Sequence, residues 1–208
     1  FIIINSPNNP TGAIYPKEDL MMVVRIARER DLLILSDDIY DNFVFDVPTC
    51  PCIGQLYEKT LTFGGFSKGW AMTGWRLGYV AGPREILQQM ITLQQYTFSS
   101  VNSFAQKAAI KALDFNVDSY IQGYKRKRDL IYEGLREKFQ VQEPKGAFYI
   151  FPEVPGGDGE AFVEKAIQNN LFIVPGSVFS KRNTHVRISF AASEETLLRG
   201  IEVLNRIS

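Results

Sequence analysis

"TLTFGGFSKGWAMTGWRLGY", residues 60–79, is the stretch on which the fold turns. A short apolar run rich in Thr, Leu and Phe leads in, and "RLGYVAG" leads out. The pattern therefore predicts two strands around a loop that carries a lysine, Lys68, behind the glycine pair Gly64 and Gly65. A solvated lysine requires no such setting. A protonated amine is a poor nucleophile, but a cationic neighbour in a pocket lowers its pKa and lets it condense with an aldehyde. Arg76, eight residues on, is such a neighbour.

Outward from this loop, strand-like and helix-like signals alternate. "FIII" (1–4) reads as a buried strand closed by the turn-rich "NSPNNPTG". A helix follows, with Pro16 suited to its first position and Leu20, Val23, Val24 and Ala27 on one face. "LLILSD" (32–37) reads as a strand covered on both faces, and "PREILQQMITLQQY" and "SFAQKAAIKAL" as helices. This alternation predicts an α/β layer with a mostly parallel sheet over residues 1–114. From 115 the character changes. A long amphipathic helix with Ile121, Tyr124, Ile131, Leu135 and Phe139 at helical spacing precedes the strand-like "GAFYIFPEV", "LFIVPG" and "HVRISFA" and two further helices. Residues 115–208 are thus expected to form a small α+β domain. The chain starts on Phe1, inside an apolar β-branched run, and the expectation is a piece of a longer protein.

Composition narrows the function. Lys+Arg and Asp+Glu are 23 each among 208 residues, so no overall field favours nucleic acid or an anionic membrane. No apolar run approaches the roughly 20 residues of a membrane span, and no secretory leader opens the chain, so a cytoplasmic location is expected. Cys50 and Cys52 in "PTCPC" lack a partner set for a metal and read as inert loop residues, and His185 is the one histidine, expected to order the loop before Arg187. No metal site is expected. "KRKR" (125–128) reads as a solvated helix face, and Trp70 and Trp75 as packing residues.

In open α/β sheets ligands bind beyond the carboxyl ends of the strands. Three predicted strands end in polar residues there: Asn5 to Asn9; Ser36, Asp37, Asp38 and Tyr40; Ser67 and Lys68. Pyridoxal phosphate needs an amine for its aldehyde, a carboxylate for its ring nitrogen, donors for its phenolic oxygen and a site for its phosphate. Lys68 offers the first, Asp37 the second, Tyr40 and Asn9 the third, and Arg76 with Ser67 the fourth.

"SPNNPTG", "SDDIYDN", "GGFSKGWAMTGWRLGY" and "VRISFA", in that order, resemble the signature motifs of class I/II pyridoxal-phosphate aminotransferases, the aspartate aminotransferase superfamily of fold type I, over essentially the whole chain. The resemblance implies that Lys68 is the Schiff-base lysine and Asp37 the partner of the pyridine nitrogen. It further implies that Tyr40 and Asn9 bond the phenolic oxygen, that Arg76 binds phosphate, and that Arg187 holds the substrate α-carboxylate. Where some relatives have Ser or Thr three residues before the lysine, this chain has Gly65. The family's N-terminal region, with a phosphate loop and a ring that stacks on the cofactor, is not in these residues. The expected activity is transamination between an α-amino acid, aspartate type by the resemblance of "MTGWRLGY", and a 2-oxo acid. A homodimer is expected, "QYTFSSVNS" (95–103) matching the region that reaches a neighbouring subunit's site. Two other outcomes stay open: β-elimination from sulfur amino acids by the same kind of site, and a ligand-sensing domain of a transcription regulator.

Overall fold

The computed structural model describes residues 1–208, which divide into two units. The first comprises Phe1–Pro7 and Ile14–Asp118, and the second Asn8–Ala13 and Ser119–Ser208. The sequence suggested one cut at 114/115. The observed division differs because the loop Asn8–Ala13 hydrogen-bonds to the second unit: Gly12 O accepts from Lys145 N and Gly146 N, both at 2.9 Å.

In the first unit β1 (Ile2–Asn5), β2 (Ile34–Asp37), β3 (Thr60–Gly65) and β4 (Gly78–Ala81) form one sheet in that order. The first three strands run parallel and β4 runs antiparallel to β3, so the sheet is mixed but mostly parallel. Apolar β-branched runs suit strands buried between layers. Helix α1 (Lys17–Glu29) covers one face, its Leu20, Val24 and Ala27 packing with Ile34, Ile53 and Tyr57. Each large side chain so buried contributes on the order of 1.5–3 kcal/mol. Pro16 stands one residue earlier than expected, at the N-cap, where its missing N–H costs nothing.

Helices α2 (Arg84–Thr97) and α3 (Ser103–Leu113) follow. Ala105 and Ala109 of α3 pack beneath Phe66, Met72, Leu77 and Trp70, which flank Lys68. Asn102 caps α3, its side-chain oxygen accepting from Phe104 N at 3.1 Å. Trp75 stays about half exposed and meets Phe104 edge to face.

The second unit contains α4 (Asp118–Leu135) from Ser119 onward, β5 (Tyr149–Ile150), α5 (Gly159–Gln168), β6 (Val174–Pro175), β7 (Val186–Ser189) and α6 (Glu194–Ile207). Its antiparallel sheet has the order β5-β7-β6. Ile121, Ile131 and Leu135 of α4 and Leu197, Ile201 and Leu204 of α6 are buried. Arg128 corrects the sequence reading: far from lying on a solvated face, it is completely buried on the same stripe. No helix is long and apolar enough to cross a membrane.

Candidate active site

The register aligns the carboxyl ends of three strands. Asn5 stands opposite Asp37, and Asp37 opposite Phe63, so the residues after each strand emerge on one edge. Asn5 Nδ2 donates to Asp37 O at 2.9 Å and Asp38 N to Phe63 O at 2.9 Å, tying these ends together. Asp37 is half-buried, and its Oδ1 accepts from Ile39 N at 3.3 Å. The turn continues with Asp41 N donating to Asp38 O and Phe43 N to Tyr40 O, and this places the Tyr40 ring in the interior.

The lysine loop is closed by its own backbone. Phe66 N donates to Leu77 O, Met72 N to Phe66 O, and Ala71 N to Lys68 O. Phe66, Met72 and Leu77 turn inward, which leaves Ser67 and Lys68 only partly covered. Lys68 Nζ lies 5.8 Å from the centre of the Tyr40 ring. The glycine pair has a steric cause: a Cβ on Gly64 would lie 2.3 Å from Tyr79 Cζ, and one on Gly65 2.9 Å from Ile39 Cδ1. Arg76 is exposed, in the left-handed region at φ 52°, and its Nη1 donates to Thr73 O at 2.8 Å. An amine thus lies near a phenol, and a carboxylate ends the neighbouring strand.

Next to Asp37 in sequence and around it, burial raises the pKa of several groups. Burial, aided by the charges of Asp41 and Asp37, raises the Asp38 pKa against the opposing hydrogen bonds of Ser36 and Cys52; burial also raises Asp41. Burial pushes the Cys50 thiol up to about 11, and its Sγ sits 3.6 Å from Ser6 Oγ. Both cysteines are free thiols. At pH 8, iodoacetamide is expected to alkylate Cys50 about a hundredfold more slowly than an unfolded thiol, since thiolate is the nucleophile. The rate should climb about tenfold per pH unit toward 11, as followed by peptide mass spectrometry. Reaction at the unfolded rate at pH 8 contradicts this.

In the second unit Arg187 stands on β7 and donates from Nη1 to Asn9 Oδ1 at 2.9 Å. Its guanidinium contacts two rings, 4.5 Å from the centre of Tyr149 and 4.8 Å from that of Phe179. Ring contacts and the hydrogen bond to Asn9 thus restrain the fork. His185 stacks on Phe151 with ring centres 5.0 Å apart and meets Thr184 Oγ1 at 2.7 Å through Nδ1. Asp37, Tyr40, Ser67, Lys68 and Arg76 therefore belong to the first unit, and Asn9 and Arg187 meet in the second. Sequence reading missed Tyr149 and Phe179. Their aromatic character in "FYIF" and "SVFS" was visible, but not their distance from Arg187.

The sequence pattern of "Aminotransferase class I and II" matches residues 1–204. A "Probable aspartate aminotransferase" of Methanocaldococcus jannaschii is 38% identical, over 99% of this chain and 58% of that protein. An "Aromatic-amino-acid aminotransferase 2" of Thermococcus litoralis is 39% identical, over 99% of this chain and 56% of that one. Among solved structures, the aspartate aminotransferase of Thermus thermophilus with maleate superimposes with a TM-score of 0.92 at 36% identity, covering 99% of this chain and 56% of that one. The chain belongs to the class I and II aminotransferases, and it has their fold. It spans a little over half the length of the relatives it matches.

Proposed function

We propose that the protein, in its complete chain, is a pyridoxal-phosphate-dependent aminotransferase that exchanges an amino group between an α-amino acid of aspartate type and a 2-oxo acid, as a homodimer. The observation that carries this reading is Lys68 beside Tyr40 at the strand edge that also presents Asp37. The donor set fits the cofactor: an amine, a carboxylate, a phenol, a hydroxyl and a guanidinium are all present in the first unit. Bound there, the cofactor would supply an aldehyde carbon that condenses with amines and a ring that draws electrons from the bonds at that carbon.

The chain's own residues have separable roles in this reading. Lys68 would hold the cofactor's aldehyde through its Nζ, and the same amine, when free and uncharged, would serve as the base and then the acid for the proton at the substrate α-carbon. Asp37 would keep the pyridine nitrogen protonated, Tyr40 and Asn9 would each be a donor for the phenolic oxygen, and Arg76 with Ser67 would hold the phosphate. Arg187, in contact with Tyr149 and Phe179, would meet the planar α-carboxylate through its fork. Relatives named for aspartate support the aspartate lean. Tyr96 and Phe98, exposed in "QYTFSSVNS", support a subunit contact.

Adding pyridoxal phosphate to the complete chain, reducing with borohydride and mapping the peptides is expected to place the pyridoxyl group on Lys68. A label elsewhere, or none, contradicts the assignment. Amino transfer from aspartate to a 2-oxo acid is the matching activity; release of ammonia without any oxo acid would make the protein a lyase instead.

A further inference from the structure

Arg128 is among the largest fully buried side chains of the molecule. A buried cation is costly unless its charge and hydrogen-bonding groups are met. Here Nε donates to Asp129 Oδ1 at 2.6 Å, and Nη1 donates to Pro144 O at 2.5 Å and lies 3.6 Å from Glu143 Oε1. Lys125 joins Asp129, and Lys145 joins Glu143. On a stripe otherwise made of Ile121, Ile131 and Leu135, a buried ion pair is by itself weak evidence of a gain in stability. The arginine adds a fixed location for the segment 143–146.

That segment is the seat of the loop Asn8–Ala13. Lys145 N and Gly146 N both donate to Gly12 O, and Gly12, at φ +70°, lies so close to Pro144 that a Cβ on it would be 2.5 Å from Pro144 Cβ. The loop is closed on itself: Gly12 N donates to Asn8 O, Asn8 N to Ala13 O, and Thr11 Oγ1 to Asn8 Oδ1. Its position is therefore set as one piece, and with it the position of Asn9, which receives Arg187 Nη1.

We propose that Arg128 is a positioning residue for carboxylate recognition: by holding Pro144 it fixes the seat of the loop Asn8–Ala13 and so sets Asn9 against Arg187. Arg128 acts through these groups and touches neither substrate nor cofactor. The inference rests on the function proposed above for Arg187.

The test compares wild type, Arg128→Lys and Gly12→Ala in the complete chain loaded with pyridoxal phosphate. Lysine keeps a charge for Asp129 and Glu143 but loses the planar fork to Pro144 O. Arg128→Lys is expected to raise KM for the amino acid about tenfold with kcat within about twofold, the pattern of a misplaced binding group. Reaction with the corresponding primary amine, which lacks the α-carboxylate, is expected to be unchanged. The amides of Lys145 and Gly146, whose acceptor is Gly12 O, are expected to exchange with deuterium about tenfold faster whatever the turnover. Gly12→Ala, which forces a Cβ against Pro144 from the other side, is expected to give the same split, and it carries the test if the lysine variant does not fold. Equal losses for amino acid and amine, or unchanged exchange at both amides, overturn the proposal. A wild type without transaminase activity would defeat the proposed function, and the exchange rates would still decide whether Arg128 holds the loop.

Discussion

Lys68→Ala is expected to remove transamination, lowering kcat by about 10^4-fold, the upper end of what one positioned acid–base group supplies. Pyridoxal phosphate should still bind to the complete chain without a covalent link, since Asp37, Tyr40, Ser67 and Arg76 remain. Lys68 lies outside the apolar cluster of Phe66, Met72 and Leu77, so its truncation opens no core cavity. The melting temperature without cofactor should therefore stay close to that of the wild type. Single-turnover kinetics with aspartate check the claim, because they isolate proton transfer at the α-carbon from product release. A variant retaining turnover within about a hundredfold of wild type would show that another group moves the proton, and Lys68 would be left with anchoring alone.

Much of this site was legible because its residues are local to strand ends. "FIII", "LLIL" and "TLTF" are short apolar runs followed by polar residues, and the parallel register carries Asn5 and Asp37 to one edge. Periodicity carries no direction, so nothing in "RLGYVAG" indicated that β4 would run antiparallel. In the second half, "GAFYIFPEV" yields a strand only at Tyr149–Ile150, bounded by Ala147 at φ 56° and by Pro152, which has no N–H to donate to a ladder. Arg128 was hidden by its neighbours. A run of four cations suggests a wet face, yet 121, 128 and 135 are seven apart and share one. The loop Asn8–Ala13 follows β1 in sequence but belongs to the second unit through hydrogen bonds to residues 145 and 146, a long-range pairing that no local pattern encodes.

Two adjacent carboxylates invite a choice, and their surroundings make it. Asp37 caps its own turn, accepting from Ile39 N, at a half-buried strand end, whereas Asp38 bonds Ser36 Oγ at 2.5 Å and burial drives its pKa upward. A group pressed toward its protonated form is the poorer standing anion, so Asp37 is the one suited to keep a pyridine nitrogen protonated. Asp37→Asn preserves the shape and an acceptor for Ile39 N but removes the charge. It is expected to lower kcat by about 10^2–10^3-fold, the range for deleting one preorganised electrostatic contact, with a much smaller change in KM. Asp37→Glu keeps the charge on a longer arm and should fall between that variant and wild type. Asp38→Asn, in steady-state assays run alongside, is expected to transaminate at close to the wild-type rate, since the amide retains an acceptor for Ser36 Oγ and loses no charge that the reaction uses. Were the losses reversed, with Asp38→Asn crippled and Asp37→Asn active, Asp38 would be the carboxylate that serves the pyridine nitrogen.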